Sequence, residues 1–250
     1  MSALIITLLA NNWLFGPLST GDVEVRLSTA YTEGRTVVAA TELERQSAEF
    51  NVGVSLSFTE RWIIGLDIPY EMNRQVYESR IFFDRRQLSP IQLRADYLLL
   101  QNTQVGLGVR LDQSDGFEST ENALRPIRAY FTADPNETAT AVNLRHMSQF
   151  GQARLGLDCQ AEFFTDSARF GLSMTTIGLW QPRLSWLALG ASLDGRISGL
   201  EEHADRLRLG LIERIGGQTG WAFQLTLSRD LYTDLPFPDS QIVGSLSWRG

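Results

Sequence analysis

The sequence predicts an all-β fold, a transmembrane antiparallel up-and-down β-barrel of about 12 strands, with about 14 as the alternative count. Three observations support this prediction. Apolar and polar residues alternate over long runs, the links between those runs differ in length, and aromatic residues stand near the ends of the runs. Together they indicate that one face of each strand meets lipid while the other faces the barrel interior.

The alternation is clearest between residues 50 and 70. Residues 50–58 read FNVGVSLSF, and residues 62–70 read WIIGLDIPY after the link Thr59-Glu60-Arg61. Two alternating runs joined by a tight link are a β-hairpin signal. The runs are about nine to twelve residues long, enough for a tilted strand to cross the hydrocarbon, whereas strands of soluble sandwiches average about five or six. The pattern recurs at 91–99, 105–111, 155–163, 187–193, 207–211, 221–227 and 242–248.

Composition excludes other classes of protein. The 250-residue chain is 43% hydrophobic, but it has no stretch of about 18 apolar residues to form a membrane helix. Its net charge of −7 argues against nucleic acid as a partner, which would need a basic stripe. All 22 of its Lys+Arg residues are Arg, which pairs bidentately with carboxylates. The single cysteine, Cys159, allows no intramolecular disulfide and fits no metal-site spacing, so we expect neither a metal nor a cofactor.

Residues 1–20 are predicted to be an atypical export signal or N-terminal segment, and residues 21–250 a single outer-membrane β-barrel domain. The apolar run 3–10, ALIITLLA, is too short to span a bilayer and is similar to the apolar region of a signal peptide. No Lys or Arg precedes it, and no clear cleavage site follows it. A buried N-terminal strand or plug segment is therefore the alternative.

The links between the runs predict the orientation of the barrel, because short turns belong on the periplasmic side and long loops outside. The short links are 59–61, 101–103, 134–137 and 165–167, and the long ones are 33–46, 72–88 and 113–123. Aromatic rings settle at the headgroup level of a membrane. We therefore expect an interfacial girdle near the short links, formed by Phe58, Trp62, Tyr97, Phe131, Phe163, Phe170 and Trp248.

If the apolar rows face lipid, the alternate residues face the lumen. These predicted lumen-lining residues carry both signs of charge: Glu24, Arg26, Asp67, Glu71, Arg94, Asp96, Arg110, Asp112, Arg128, Arg145, Arg154, Asp158, Glu162, Asp194, Arg206 and Arg208. A salt-bridged network would keep the lumen closed and rigid, because buried charges persist only when they are paired. Rings of charge could instead line a small aqueous pore, with weak ion selectivity for a mixed-sign lining. The residues leave both interpretations open.

One pair of residues could carry catalysis. His146 and Ser148 share one face of a strand, as the base and the nucleophile of outer-membrane acyl hydrolases do. The residue that orients the histidine would come from the next strand, but the candidate, Gln160, falls on the lumen face. A tight turn at Phe150-Gly151 would also pair His146 with Leu155, away from Gln160. We therefore expect no enzyme, with an outer-membrane lipid hydrolase as an alternative.

Three segments resemble a known group of proteins. Residues 52–73, VGVSLSFTERWIIGLDIPYEMN, resemble a hairpin of the outer-membrane β-barrel family assigned to the MetA pathway of phenol degradation, and equally of related uncharacterised outer-membrane barrel families. Residues 91–111 fit their next hairpin, and residues 234–248, DLPFPDSQIVGSLSW, fit their closing strand. The family's "lPtG" is missing at 111–114. The resemblance implies a barrel linked to the passage of hydrophobic or aromatic compounds, and it implies no catalytic residues.

The expected function is a porin-like, narrow channel or transporter for small compounds in the outer membrane of a Gram-negative bacterium. A structural or scaffold barrel with a salt-bridged closed lumen is the alternative. The expected partners are membrane lipid and lipopolysaccharide, a small-molecule permeant, and either a protein partner or further copies of the chain.

Overall fold

The computed structural model describes residues 20–38, 41–77, 80–88, 91–111, 138–165, 169–182, 186–198, 206–216, 219–233 and 239–250. Its strands are β1 (Val23–Val38), β2 (Thr41–Ser57), β3 (Trp62–Tyr77), β4 (Arg80–Leu88), β5 (Ile91–Leu100), β6 (Thr103–Leu111), β7 (Ala139–Phe150), β8 (Ala153–Phe164), β9 (Arg169–Trp180), β10 (Leu187–Ser198), β11 (Arg206–Gly216), β12 (Gly220–Thr233) and β13 (Asp239–Arg249). The predicted export segment lies outside the described residues apart from residue 20.

The strands form one closed antiparallel barrel. Strand β1 pairs with β13 from Glu24↔Arg249 to Gly34↔Asp239, and this pairing joins the first strand to the last. Strand β3 pairs with β5 through its first half and with β4 through its second half, so β4 and β5 share one position in the wall. The 13 described strands therefore fill twelve positions around the barrel. The predicted all-β barrel and its strand count are confirmed.

The barrel has two different ends. At the short-turn end, links of two to six residues join β2 to β3, β5 to β6, β7 to β8, β9 to β10, and β11 to β12. The β7–β8 turn contains Gly151 with a positive φ of 60°, which glycine adopts without the steric cost of a Cβ. The first and last strands also start and finish at this end, where Val23 N donates to Gly250 O at 2.7 Å.

Two predicted loops are largely strand. Strands β1 and β2 pair as far as Val38↔Thr41, and β3 and β4 pair as far as Tyr77↔Arg80, so the described residues of 33–46 and 72–88 belong to hairpins. The apolar alternation stops before the strands themselves end. Backbone hydrogen bonds between strands do not need an apolar face where both faces of the sheet contact water. These hairpins therefore continue beyond the apolar band.

One predicted short link lies at the other end of the barrel. Residues 165–167 fall between β8 and β9, at the end opposite the short turns, because the turn at 151–152 comes first and reverses the direction of the chain. The link 134–137 and the loop 113–123 lie outside the described residues. Within the residues that the structure describes, no helix is long and apolar enough to cross a membrane.

The outer face of the barrel is a broad apolar band. Leu107 is 65% exposed and Leu211 is 64% exposed, and both lie near the middle of their strands. Soluble monomers rarely expose apolar patches larger than a few hundred Å². A continuous band around a closed barrel is the surface that the hydrocarbon of a bilayer covers.

Aromatic side chains border this band at both ends. Those exposed at the short-turn end are Phe58, Trp62, Phe150, Trp180, Trp186, Trp221 and Trp248. Tyr97 packs against Trp62 with ring centroids 5.0 Å apart. Phe163 and Phe170 lie instead at the opposite end, 5.3 Å apart, because the β8–β9 link is there; Phe131 is outside the described residues.

The spacing of the two aromatic borders matches a membrane. Phe170 and Trp180 both point outward from β9, ten residues apart along the strand. A rise of about 3.4 Å per residue at a tilt of about 40° separates them by about 26 Å along the barrel axis. The apolar band of an outer-membrane barrel is about 25 Å tall.

We predict that an arginine on this band destabilises the barrel according to its depth. Leu107→Arg should lower the free energy of unfolding by about 2–4 kcal/mol, because the charge faces the middle of the bilayer. Leu100→Arg, at the short-turn end and similarly exposed at 62%, should cost about 0–1 kcal/mol. Urea unfolding in phospholipid vesicles measures both values. Equal costs at the two depths would contradict the placement of the membrane.

Candidate functional site

The alternation turns the predicted charged residues toward the barrel interior. Of the predicted lumen-lining set, those with buried side chains are Glu24, Arg26, Asp67, Asp96, Arg110, Arg145, Asp158, Glu162 and Arg208, and those half-buried are Arg94, Arg154, Asp194 and Arg206. Asp112 and Arg128 lie outside the described residues. Buried charges are costly unless they are paired and hydrogen-bonded, so their contacts decide what the interior can do.

Two neighbouring groups of ion pairs, together called the ion-pair chain, line the inner wall near the short-turn end. One is Arg26 with Asp67, and the other consists of Arg94, Asp96, Arg145 and Asp158. Arg26 Nη2 lies 2.5 Å from Asp67 Oδ1. Arg94 Nη1 lies 3.7 Å from Asp96 Oδ2. Arg145 bridges two carboxylates, with Nη1 at 3.4 Å from Asp96 Oδ2 and Nε at 2.9 Å from Asp158 Oδ2. Three arginines thus meet three aspartates across strands β1 to β8.

Neutral side chains add hydrogen bonds to the ion-pair chain. Asn51 Nδ2 donates to Asp67 Oδ1 at 3.3 Å, and Asn143 Nδ2 donates to Asp96 Oδ1 at 3.5 Å. Arg94 Nη2 donates to Ser55 Oγ at 2.9 Å. The amides and the hydroxyl supply hydrogen bonds that one arginine per aspartate does not, which lowers the cost of burying the charges.

Glycines on intervening strands let these side chains meet. Gly53 of β2 pairs with Arg26 on one side and with Asp67 on the other, so the two charged side chains join above it. A Cβ at Gly53 would collide with both of them. The same arrangement, in which a glycine lies between two polar residues of the flanking strands, occurs at Ser55–Gly65–Arg94 and at Asp96–Gly106–Asn143.

The ion-pair chain lies at one level of the barrel. Arg26 is three residues from the start of β1, Arg145 is five from the end of β7, and Asp158 is five from the start of β8. All three of these strand ends are at the short-turn end. The charges therefore lie at similar heights along the barrel axis and form an arc on the side built from β1 to β8.

A second polar cluster lies toward the opposite end. Arg208 Nε lies 2.6 Å from Asp230 Oδ1, and Arg208 Nη1 donates to Gln241 Oε1 at 2.7 Å. Gln241 Nε2 in turn donates to Thr32 Oγ1 at 3.0 Å, which links β11 to β1. Arg206 Nε is 4.0 Å from the same Asp230 oxygen.

Two further predicted residues have partners on the inner wall. Arg196 Nη2 lies 3.8 Å from Glu162 Oε2. The guanidinium of Arg110 stands over the ring of Phe164, 5.1 Å from its centroid, in a cation–π contact.

The inner wall also carries an apolar patch. Ile177, Leu179, Ala188 and Ile212 are buried together on β9, β10 and β11, and Met147 packs against them. This patch faces inward at the same end of the barrel as the ion-pair chain. The interior thus has a charged side and an apolar side.

Several inward charges were missed from sequence: Glu49, Arg196, Arg214, Asp230, Asp239 and Arg249. The signal was present, since Arg214 has the same parity as Arg208 on β11, and Asp230 the same parity as Gln224 on β12. The apolar alternation stops before the polar ends of these strands, so the charges there lie outside the predicted runs. Among the described residues, no group of three or more His, Cys, Asp or Glu is placed to hold a metal ion.

The candidate catalytic pair lies on the outer face, near the short-turn end. His146 Nε2 is 3.0 Å from Ser148 Oγ. His146 pairs with Leu157 across the β7–β8 hairpin and not with Leu155, because Gly151 and Gln152 alone form the turn. Gln160 is on the inner face, as expected, and the partner of His146 Nδ1 is Thr103 Oγ1 on β6, at 3.0 Å.

The comparisons with known proteins identify the fold. No family model and no curated protein matches the chain. An outer-membrane channel from Pseudomonas putida F1 matches with a TM-score of 0.64 at 12% identity, covering 94% of this chain and 98% of that one. The translocator domain of the autotransporter NalP from Neisseria meningitidis matches with a TM-score of 0.54 at 12% identity, covering 99% and 96%. The CymD monoaromatic hydrocarbon channel matches with a TM-score of 0.51 at 9% identity, covering 93% and 88%. The chain has the β-barrel fold of bacterial outer-membrane proteins.

We predict that breaking one buried ion pair costs far more than breaking an exposed one. Asp67→Ala should lower the free energy of unfolding by about 3–5 kcal/mol, because it leaves Arg26 buried without its carboxylate. The double variant Arg26→Leu/Asp67→Leu should recover most of that loss. Glu33→Ala is the control: it removes the exposed partner of Arg35 and should cost less than about 1 kcal/mol. Urea unfolding in vesicles measures all three, and a double variant no more stable than Asp67→Ala would count against the pair.

We also predict that the glycines are required where charges meet above them. Gly106→Ala should destabilise the barrel by about 1–3 kcal/mol, because the new Cβ collides with the side chains of Asp96 and Asn143. Gly108→Ala is a matched control on the same strand and face, where a Cβ meets its nearest atoms at an ordinary 3.6 Å. The same unfolding assay compares them, and equal stabilities would refute the role of Gly106.

Proposed function

We propose that this chain is a gated channel in the outer membrane of a Gram-negative bacterium, with lipid and lipopolysaccharide around it and small solutes as its permeants. The observation that carries the proposal is the ion-pair chain from Arg26 to Asp158 on the inner wall. A barrel that served only as an anchor would gain little from six charges on its inner wall, since well-packed apolar residues are often at least as stabilising as a buried ion pair.

The dimensions of the barrel suit such a channel. Twelve strands about 4.8 Å apart, tilted by about 40°, enclose a backbone diameter of about 24 Å. Barrels of about 8 strands are filled by side chains or hold one small ligand, and those of about 16 contain an aqueous channel. A twelve-strand barrel lies between these cases, so the side chains of its wall decide whether a solute passes.

In the proposed closed state the ion-pair chain is the gate, and its paired side chains are shielded from solvent. Asp67 is 1% exposed, Asp96 2% and Arg145 3%. Opening would therefore require the ion pairs to separate or to exchange partners. Arg145 is the side chain on which this depends most, because it joins Asp96 on β5 to Asp158 on β8.

We further propose hydrophobic or aromatic compounds as the permeants. The apolar patch around Ile177 and Ile212 supports this class, since it provides an apolar surface for a solute beside the charged arc. A solved channel of similar fold is named for monoaromatic hydrocarbons. The resemblance of residues 52–73 and 91–111 to the MetA-pathway family points in the same direction.

A structural barrel with a permanently closed lumen is the second candidate. The burial of these charges supports it, because paired charges form a rigid plug as readily as a gate. Whether the ion-pair chain opens distinguishes the two candidates.

We predict that Arg145→Gln opens the channel. Purified, refolded wild-type protein in planar bilayers should open rarely, and the variant should open about tenfold more often or more, since each 1.4 kcal/mol lost from the closed state is a factor of ten. Its reversal potential in a salt gradient should shift toward cation preference, because the carboxylates of Asp96 and Asp158 lose a positive charge between them.

Arg35→Gln is the matched control, since it makes the same change of charge at a side chain that is 60% exposed. It should leave conductance and selectivity as in the wild type. Heat-modifiable gel migration establishes that each barrel is folded. Silence of both the wild type and Arg145→Gln, with folded barrels, would contradict the channel and support the structural barrel.

A further inference from the structure

Four polar side chains form one hydrogen-bonded row on the outer face of the barrel. Ser148 and His146 of β7 are 3.0 Å apart, from Oγ to Nε2. Thr103 Oγ1 of β6 is 3.0 Å from His146 Nδ1. Thr103 also donates to Oδ1 of Asn102 at 3.5 Å. The row crosses two neighbouring strands on the outward side of the wall, and the charged interior plays no part in it.

The contacts fit the form of the histidine that carries its proton on Nδ1. In that form Nδ1–H donates to Thr103 Oγ1, whose own hydroxyl proton is directed at Asn102. The other ring nitrogen, Nε2, then carries a lone pair directed at Ser148 Oγ. A serine hydroxyl, a basic imidazole nitrogen, and a third group that orients the ring are the parts of a nucleophilic hydrolase site.

The row lies where membrane lipids carry their ester bonds. Ser148 is two residues from Phe150, an exposed aromatic side chain at the short-turn end of β7. Two residues of tilted strand rise by about 5 Å, so the hydroxyl lies just inside the aromatic border. Aromatic girdles mark the boundary between headgroups and hydrocarbon. Leu155, which is 48% exposed and pairs with Ser148, provides an apolar surface for an acyl chain.

We propose that Ser148, His146 and Thr103 form an acyl-hydrolase site that acts on ester bonds of phospholipids in the leaflet at the short-turn end. Ser148 Oγ attacks the ester carbonyl carbon and forms a C–O bond while its proton passes to His146 Nε2. The tetrahedral intermediate expels the lipid alcohol, which takes that proton. Water, deprotonated by the same nitrogen, then attacks the acyl-serine, releases the fatty acid and returns the proton to Ser148. Thr103 is a positioning residue that holds the ring through Nδ1.

The test uses the purified barrel in mixed micelles of detergent and phosphatidylethanolamine, with fatty-acid release as the readout. Wild type should release fatty acid, and Ser148→Ala should reduce the rate by about 100-fold or more, since the nucleophile is lost. Ser240→Ala is the matched control, an exposed serine on the outward face of β13. It should retain the wild-type rate. A fluorophosphonate probe should label the wild type on the peptide that contains Ser148, as found by mass spectrometry.

The role of Thr103 has its own readout. Thr103→Val removes the hydrogen-bond acceptor at nearly constant size. It should lower kcat about tenfold and leave KM unchanged, because the lost hydrogen bond orients the His146 ring and does not bind the lipid. Thr103→Ser should restore the rate, because it restores the hydroxyl. A merely structural threonine would leave kcat unchanged in folded Thr103→Val, and that result would overturn its role.

Two results would overturn the whole site. One is a folded wild type that releases no fatty acid and takes no probe; the row would then only pair polar groups that face lipid. The other is release that persists in Ser148→Ala. Heat-modifiable migration of every variant shows that the barrels are folded. Because Arg145 lies on the inner face and Ser148 on the outer, failure of the channel and failure of the hydrolase are separate outcomes.

Discussion

The pairing of β1 with β13 is the interaction on which the rest of this structure depends. Inside a bilayer no water is available to the backbone, so every N–H and C=O must find a partner within the protein. An open sheet would leave two strand edges unpaired in hydrocarbon, and the ladder from Glu24↔Arg249 to Gly34↔Asp239 removes both. Closure then gives each strand one face toward lipid and one toward the interior.

Closure also creates the main energetic problem of the interior. Arg26, Arg94 and Arg145 are removed from water together with the aspartates that face the same space, and the desolvation penalty is offset only by close pairing. Next-but-one strands are too far apart for short side chains to meet over a bulky neighbour. A glycine such as Gly53 solves this problem, because the two long side chains can lie along the wall above it. The register that closes the barrel therefore also aligns its charges.

The two faces of β7 illustrate how different environments act on neighbouring residues. Arg145 faces inward and joins two aspartates, whereas His146 faces outward and joins a serine and a threonine. On the inner face, pairing neutralises the buried charge. On the lipid face, pairing leaves one imidazole nitrogen directed at a hydroxyl. A channel and a lipid-facing hydrolase would thus use opposite surfaces of a single strand.

The sequence by itself determined the fold class and the face of each alternating residue, because a period of two along a strand is a local property. It placed Arg26 and Asp67 inside, Leu107 outside, and Gln160 away from His146. Only the tertiary structure decided which residues touch. Arg26 and Asp67 are 41 residues apart in the chain, and Thr103 and His146 are 43 apart. Their contacts depend on strand register and on where each turn falls, which no local pattern encodes. For the same reason Phe163 could be placed on the lipid face from the sequence, but its end of the barrel depended on the turn at 151–152.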